Sequence, residues 1–365
     1  MMEFIDVGAI HEQSREEIES AIKRVLEHRR FINGPEVKTL ESTLSKFCNV
    51  DECVAVSSGT MALEVALRAL EIGPGDEVIT TPFTWISTAE TIALVGARPV
   101  FADIDPDTFN IQPKQVLAAV TEKTKAIIAV DLFGQMADYE AIEAIAREHG
   151  LYVIQDAAQS FGAEHNGCRS CSFGDIACTS FFPAKPFGCY GDGGALFTSD
   201  PQFAPKIRAI VNHGGVRRGN HTLVGTNGRC DTLQAAILLA KFPAFKNEIK
   251  LRAEVGQRYS KGLARCCQIP SVAYGNTHVY AQYTLRVEDR DAVSQSLKAQ
   301  GIPTAVYYAQ CLHEQPVFSN LNYQMGDFPV AEKASKEVLS IPMHPYFKKA
   351  DQQKVIDSLR HLYEG

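Results

Sequence analysis

A single lysine, Lys185, lies in a setting that a solvated surface lysine does not need. It is flanked by Pro183 and Pro186, it follows the apolar run at residues 176–182, and it precedes a glycine-rich turn. Partial burial lowers the pKa of an amine and makes it a nucleophile toward carbonyl groups. The aromatic residues around it therefore favour a reactive amine over an exposed loop lysine, which is the alternative at this position.

Three further stretches carry residue types that suit a bound cofactor. Residues 57–60 read Ser-Ser-Gly-Thr and lie between a strand-like run and a helical pattern, where the unpaired N–H groups of a helix start favour a phosphate. Asp156 ends an apolar run, where an acid is costly unless it is paired, so it is a candidate to hold a protonated ring nitrogen. Trp85, the one tryptophan, could stack on a planar ring.

Each of these three features has an ordinary structural alternative. Residues 57–60 could simply cap a helix, Asp156 could cap the segment that follows it, and Trp85 could be a core residue. Taken together, a phosphate cradle, a stacking ring, an acid for a pyridine nitrogen and a carbonyl-reactive amine are the parts of a pyridoxal phosphate (PLP) site. Their order along the chain predicts that cofactor.

Apolar runs and helical patterns alternate before residue 200. Seven runs have the length and composition of strands, at residues 52–58, 76–81, 98–104, 126–134, 151–158, 175–182 and 194–199. This alternation predicts an α/β fold with a three-layer, mostly parallel seven-stranded sheet covered by helices on both faces. Ligands of such sheets bind beyond the carboxyl ends of the strands, which is where the candidate residues fall.

The pattern changes after residue 223, where long helices mix with isolated strands. We expect a large PLP-binding domain over residues 1–243 and a small C-terminal α+β domain over residues 244–365, with the boundary near Pro243. The N-terminal helix is a candidate to pack on the small domain. A strand is predicted at residues 303–308.

Composition narrows the function classes. The 365 residues include 36 basic and 43 acidic side chains, a net charge of −7, which gives no support for nucleic-acid binding. A signal peptide and a membrane-spanning run are not evident, so we expect a cytoplasmic protein with no membrane partner. The ten cysteines include one isolated Cys-x-x-Cys pair, Cys168 and Cys171, and a zinc site would need a second pair, so we expect reduced thiols and no metal.

The motifs resemble those of the nucleotide-sugar aminotransferases, a branch of the fold type I, aspartate aminotransferase superfamily of PLP enzymes. The resemblance covers nearly the whole chain. It is carried by FINGPEV, SSGTMAL, GPGDEVITTPFTW, FADIDPDTFNI, VDLFGQMAD, IQDAAQSFGA, SFFPAKPFGCYGDGGA, GTNGRCDTLQAAIL and IPMHP. The closest likeness is to enzymes that aminate UDP-linked 3-keto amino sugars, including 3-keto uronic acids, in bacterial surface-polysaccharide synthesis.

The resemblance implies roles around the cofactor ring. Lys185 would bond the cofactor covalently and move the proton between the cofactor and the sugar carbon. Asp156 would pair with the pyridine nitrogen, Gln159 would lie near the phenolic oxygen, and Trp85 would stack on the ring. A lysine at position 185 favours transamination, because a branch of the family with histidine there performs dehydration.

The resemblance also implies a phosphate site that two subunits share. Gly59, Thr60 and Ser180 would hold the phosphate from one subunit, and Asn227 would reach it from the neighbouring one. A homodimer is therefore the expected active unit.

The sugar site is where this chain departs from the resemblance. Arg229 is expected to meet the substrate, and His313 is either a substrate contact or a surface histidine. Relatives often have a His-Tyr pair followed by prolines where this chain has Tyr307 and Tyr308, so the histidine is replaced and Tyr308 is retained. A uronic acid would need a cation near its carboxylate, for which Arg229 is a candidate. The two arginines at 217 and 218 are others, although solvated loop arginines are the favoured interpretation of that pair.

The expected reaction moves the amino group of L-glutamate, which leaves as 2-oxoglutarate, to the 3-keto group of a UDP-linked 2-acetamido sugar or its uronic acid. One alternative is a 4-keto-6-deoxy nucleotide-sugar aminotransferase. A remote alternative is a non-catalytic PLP-fold regulatory protein. Dinucleotide binding is not supported, since no Gly-x-Gly-x-x-Gly opens a strand-to-helix turn.

Overall fold

The computed structural model describes residues 2–217 and 219–364. Its α-helices are α1 (Val7–Glu12), α2 (Arg15–His28), α3 (Pro35–Cys48), α4 (Gly59–Ala69), α5 (Ser87–Leu94), α6 (Pro113–Ala119), α7 (Tyr139–His149), α8 (Phe203–Ile210), α9 (Thr232–Leu263), α10 (Arg290–Ala299), α11 (Pro329–Glu337) and α12 (Lys349–Glu364). Short 3₁₀ helices cover Leu132–Gly134, Leu312–Glu314 and Pro316–Leu321.

The strands include all seven runs predicted before residue 200. They are β1 (Glu52–Val56), β2 (Glu77–Thr80), β3 (Arg98–Phe101), β4 (Thr124–Val130), β5 (Tyr152–Asp156), β6 (Glu164–His165), β7 (Cys168–Arg169), β8 (Ile176–Ser180), β9 (Gly194–Thr198), β10 (Gly215–Arg217), β11 (Asn220–His221), β12 (Tyr283–Arg286) and β13 (Val338–Ile341).

The central sheet has seven strands in the order β1-β9-β8-β5-β4-β2-β3. Strands β8, β5, β4, β2 and β3 pair in parallel, whereas β9 runs antiparallel to both of its neighbours. Alternate residues of β1 enter two helical layers: Val54 and Val56 pack with α4 and α8, and Cys53 and Ala55 pack with α3 and α9. The predicted fold, a mostly parallel seven-stranded sheet between two layers, is confirmed.

The C-terminal region builds its own core around α9, α10, α12 and the antiparallel pair β12–β13. Helix α9 runs without interruption through Pro243, so the division of the chain at residue 243 remains a prediction. The strand predicted at residues 303–308 is wrong, because only Ala305 makes a bridge, to Ser340. The tyrosines that end this stretch instead pack their rings against other aromatic residues, and β13, which the sequence did not indicate, pairs with β12.

The N-terminal residues contact both regions. Helix α2 packs through Ala21 and Val25 against Ala236 in the first half of α9. Before α1, the carbonyl of Phe4 accepts a hydrogen bond from the Met343 N–H at 3.1 Å. The segment before α1 therefore contacts the C-terminal region, and the packing of the N-terminal helix on a small domain remains a prediction.

Among residues 2–217 and 219–364, none of the helices combines the length and the apolar character needed to cross a membrane. The same residues contain no group of three His, Cys, Asp or Glu side chains that could hold a metal ion. All ten cysteines are free thiols, and most are buried.

The buried carboxylate of Asp131 fastens the end of β4 to the end of β5. It accepts four hydrogen bonds, from the Ala137 N–H (3.0 Å), the Tyr139 hydroxyl (2.8 Å), the Gln155 amide (2.7 Å) and the Ser160 hydroxyl (2.6 Å). Burial raises the pKa of Asp131 to about 7, and these donors oppose the rise. The backbone N–H of Asp131 donates to the Asp156 carbonyl at 3.0 Å, so this cluster also fixes the end of β5.

Asp131→Ala should lower the apparent melting temperature by about 5 °C or more, because each buried donor that loses its acceptor costs roughly 1–3 kcal/mol. Differential scanning fluorimetry would measure it. Asp138→Ala is the matched control, because Asp138 is exposed and accepts one hydrogen bond, from the Ala141 N–H, as the N-cap of α7. The prediction is wrong if the Asp131 variant melts no lower than the Asp138 variant.

Candidate active site

The candidate residues meet at one edge of the central sheet. The carboxyl ends of β1, β5 and β8 and the amino end of β9 lie there, because β9 runs antiparallel and Gly194 pairs with both Val56 and Ser180. Asp156 and Ser180 are the last residues of β5 and β8. The arrangement follows the rule that open α/β sheets bind ligands at this edge.

Two glycines allow the backbone to close tightly around the start of α4. A Cβ atom on Gly59 would lie 2.7 Å from Ser180 Cβ, and one on Gly194 would lie 2.5 Å from the carbonyl of Ser58. The Ser58 hydroxyl accepts from the Met61 N–H at 3.0 Å, which is the capping alternative, and the Thr60 hydroxyl contacts the Ser87 hydroxyl at 2.8 Å. The cradle therefore combines a capped helix start with backbone N–H groups that suit a phosphate.

Asp156 is buried, with 5% of its surface exposed. Its carboxylate accepts from the Thr88 hydroxyl at 3.0 Å and from the Ala158 N–H at 3.2 Å. Burial raises the pKa of Asp156, while these two donors and the nearby Lys185 charge oppose the rise. No helix begins after Asp156, so a helix-capping role is wrong: the hydrogen bond from the Ala158 N–H closes a turn instead.

Lys185 is partly buried at the same edge. Burial lowers the pKa of its amine, and the Asp156 charge opposes the change. Its backbone N–H donates to the Phe182 carbonyl at 2.9 Å, and the rings of Phe181 and Phe187 are buried beneath the turn. Partial burial of this kind is a condition under which a lysine amine becomes nucleophilic.

Gln159, which is predicted to lie beside the cofactor ring, makes a hydrogen bond to Tyr308, which is predicted to contact the sugar. Its side-chain oxygen accepts from the Phe133 N–H at 2.8 Å, and its side-chain nitrogen donates to the Tyr308 hydroxyl at 3.2 Å. The Tyr308 ring lies 6.4 Å from the Trp85 ring, centroid to centroid, and 6.0 Å from that of Phe83. Trp85 is 59% exposed, so it is not a core residue and presents a free ring surface.

The loop that carries Asn227 and Arg229 lies beside the end of β1. The Ser57 N–H donates to the Gly228 carbonyl at 2.9 Å, and Val56 forms a bridge with Arg229. Arg229 donates from Nε to the Asn227 side-chain oxygen at 3.0 Å, and Asn227 is exposed.

The other residues predicted to contact the substrate differ in burial. Tyr307 is half-buried, with its ring 6.3 Å from that of Phe4. His313 is buried, so its interpretation as a surface histidine is wrong: its ring nitrogen Nε2 contacts the Glu332 carboxylate at 3.2 Å and its ring packs against Phe328. Its role as a substrate contact gains nothing from this geometry and remains a prediction. Arg217 is exposed in β10, and Arg218 lies outside the described residues.

A sequence profile of the DegT/DnrJ/EryC1/StrS aminotransferase family matches residues 12–360. The chain belongs to this family. The predicted resemblance to the sugar aminotransferases is confirmed, as is the predicted class of enzyme.

Two relatives of this DegT/DnrJ/EryC1/StrS aminotransferase have sugar substrates in their names. UDP-2-acetamido-2-deoxy-3-oxo-D-glucuronate aminotransferase of Pseudomonas aeruginosa is 50% identical over 96% of this chain and 97% of its own length. UDP-N-acetyl-3-dehydro-alpha-D-glucosamine 3-aminotransferase of Acidithiobacillus ferrooxidans is 40% identical over 99% of this chain and 98% of its own length.

A solved structure of the family contains the cofactor. The protein NtdA of Bacillus subtilis, with its cofactor PMP bound, superposes with a TM-score of 0.93 at 30% identity, over 100% of this chain and 85% of its own. PMP is the amino form of PLP, and the predicted cofactor is confirmed. The residues present fit PLP. The aminotransferase has a backbone cradle at the start of α4 that Gly59 and Gly194 keep open, a buried acid in Asp156 and a partly buried amine in Lys185.

Thr88 is a residue beside the candidate site that sequence reasoning missed. It lies in the first turns of α5, and its hydroxyl is the side-chain donor to Asp156. The sequence signal was slight, since a buried threonine in a helix ordinarily bonds its own backbone. That is what Thr91 does, one turn later, by donating to the Ser87 carbonyl at 2.9 Å.

Thr88→Val should lower kcat/KM about tenfold or more, because a hydrogen bond to a charged group contributes roughly 1.5–3 kcal/mol. Loss of the donor raises the pKa of Asp156 further. Since the ionised carboxylate is the form that pairs with a ring nitrogen, the rise of activity with pH should move to higher pH. Steady-state kinetics as a function of pH would measure both effects. Thr91→Val is the control, and equal losses in the two variants would contradict the prediction.

Proposed function

We propose that this aminotransferase transfers the amino group of L-glutamate to the 3-keto group of a UDP-linked 2-acetamido sugar or its uronic acid. The observation that carries the proposal is that a partly buried lysine and a buried aspartate, Lys185 and Asp156, lie at the same edge of the sheet, in a chain that is 50% identical to a 3-oxo-glucuronate aminotransferase. The product would serve bacterial surface-polysaccharide synthesis, including lipopolysaccharide O-antigen, in the cytoplasm.

Each residue of the site has a separate role in the proposed reaction. The cofactor, when bound, supplies an electron sink for the carbon that loses its proton. Lys185 would hold the cofactor, and its Nζ would move the proton as a general base and acid. Asp156 keeps the ring nitrogen protonated, and the exposed ring of Trp85 covers one face of the ring site. Gly59, Thr60 and Ser180 hold the phosphate.

The sugar would lie near Arg229, Tyr307 and Tyr308. Arginine binds carboxylates through paired hydrogen bonds, so Arg229 suits the carboxylate of a uronic acid. The 4-keto alternative is less supported, because the two relatives described above both act at the 3-position. The regulatory alternative is less supported, because the chain keeps a partly buried lysine at the sheet edge where Asp156 is buried.

The test compares wild-type protein with Lys185→Ala and with Lys246→Ala, an exposed lysine of α9. Wild type and Lys246→Ala should show visible absorbance from lysine-bound PLP and should aminate the UDP-linked 3-keto uronic acid with glutamate, as followed by mass spectrometry. Lys185→Ala should lack that absorbance and lose turnover by roughly 10³-fold or more. Faster turnover of a 4-keto-6-deoxy sugar would overturn the assignment of substrate, and unchanged absorbance in Lys185→Ala would overturn the mechanism.

We also propose a homodimer in which Asn227 serves the phosphate bound by its partner. The support is that Asn227 is exposed on a loop beside the cradle and that an active site between subunits needs both copies.

Hybrid dimers would test the shared site. A Lys185→Ala chain paired with an Asn227→Asp chain should regain about half of the wild-type activity if Asn227 acts across the interface, because one of the two sites is then intact. Lys185→Ala paired with Asp156→Ala is the control and should stay inactive, since both residues serve the same site from one chain. An inactive first hybrid would place Asn227 in its own subunit's site.

A further inference from the structure

Lys241 of α9 is a buried lysine that the chemistry described above does not use. Only 7% of its surface is exposed. Its ammonium donates to the carbonyl oxygen of Gly188 and lies 5.2 Å from the centroid of the Tyr190 ring. Both of these partners belong to the turn that follows Lys185.

That turn is folded back on the backbone that leads into Lys185. The Cys189 N–H donates to the Phe181 carbonyl at 2.8 Å, and the Lys185 N–H donates to the Phe182 carbonyl at 2.9 Å. A Cβ atom on Gly188 would lie 2.7 Å from the carbonyl oxygens of both Phe182 and Pro183. Gly188 therefore packs directly against the residues before Lys185, and a shift of its carbonyl would move them.

The charges around Lys241 are buried as well. Glu248 and Arg252, on the same helix, are 4% and 1% exposed, and the Tyr346 hydroxyl donates to Glu248 at 2.9 Å. Burial lowers the pKa of Lys241, and the Glu248 carboxylate opposes the change. Among the described residues, the Lys241 ammonium makes its hydrogen bond to the Gly188 carbonyl and forms no ion pair, so its direct action is on this turn.

The ring beneath the ammonium is itself anchored. The Tyr190 hydroxyl contacts His11 Nδ1 at 2.7 Å, and the Tyr190 N–H donates to the Gln234 side chain at 2.9 Å. Helices α1 and α9 thus hold one side of the turn, and the Cys189 thiol holds the other by donating to the Phe181 carbonyl at 3.1 Å.

We propose that Lys241 is a positioning residue for Lys185. Its ammonium fixes the Gly188 carbonyl and the Tyr190 ring, and through them the direction in which Lys185 leaves its turn toward the ring-binding edge. The inference rests on the proposed function, because it needs Lys185 to be the residue that bonds the cofactor.

The test is Lys241→Met in the full-length holoenzyme. We expect kcat to fall roughly 10- to 100-fold, since misplacement of a reacting group by about 1 Å costs up to about 10²-fold, with KM changed less than about threefold. The pH titration of the visible absorbance of lysine-bound cofactor should shift. In the cofactor-free chain, the rate at which acetic anhydride modifies Lys185, measured by peptide mass spectrometry, should change as well.

Three further variants separate positioning from folding. Lys246→Met replaces an exposed lysine on the same helix, whose ammonium lies 5.4 Å from the Phe242 ring centroid, and should match wild type. Lys241→Met/Glu248→Gln also removes the nearby buried carboxylate charge and should keep the defect. Lys241→Gln keeps an N–H donor without the charge and should retain more activity and a more native titration than Lys241→Met.

Each other result overturns the proposal. A Lys241→Met enzyme with native kcat and titration does so directly. A double variant that regains native kcat does so as well, because it shows that the buried Glu248 charge, and not the loss of the contact to Gly188, caused the defect. If Lys241→Met does not fold, a Lys241→Gln enzyme that folds but retains no more than the activity of Lys185→Ala also overturns it. A wild-type protein that does not bond PLP through Lys185 contradicts the proposed function instead.

Discussion

Burial of two opposite charges at one edge of the sheet is the constraint on which the site depends. Desolvation raises the pKa of Asp156 and lowers the pKa of Lys185, and each charge partly reverses the shift of the other. A carboxylate in this place stays ionised only if donors are aimed at it, and Thr88 supplies one. The Asp131 cluster, one strand away, holds the end of β5, so that the carboxylate stays where those donors can reach it.

The phosphate cradle follows from a second constraint, close approach of backbone to backbone. Val56, Gly194 and Ser180 are adjacent across three strands, and the start of α4 must lie against them. A side chain on Gly59 or Gly194 would collide with its neighbour. The missing Cβ atoms leave N–H groups accessible at a helix start, where the helix dipole favours an anion. Because β9 is antiparallel to its neighbours, its amino end lies at this edge, and its first residue there is Gly194.

The sequence predicted the parts of the fold that depend on local patterning. Seven apolar runs gave the seven strands of the sheet, and the acid that ends one run and the lysine that follows another lie at the predicted edge. Contacts made across long stretches of chain were not predictable. Thr88 and Asp156 are 68 residues apart, Lys241 and Gly188 are 53 apart, and nothing in either local pattern names the partner. β13 was missed for the same reason, because its pairing with β12 comes from a distant segment.

Tyr307 and Tyr308, the adjacent tyrosines predicted to contact the sugar, have different neighbours. Tyr308 faces the residues predicted to surround the cofactor ring. Its hydroxyl accepts a hydrogen bond from Gln159, and its ring packs near Phe83 and Trp85. A change there would disturb the residue expected beside the phenolic oxygen. Tyr307 is half-buried with its ring toward Phe4, and its contacts are to the N-terminal segment. Because the resemblance expects a histidine at position 307, we expect the tyrosine there to alter what a sugar would contact, while the hydrogen bond from Gln159 to Tyr308 is retained. On this interpretation, substrate choice and cofactor chemistry would be separable at neighbouring positions.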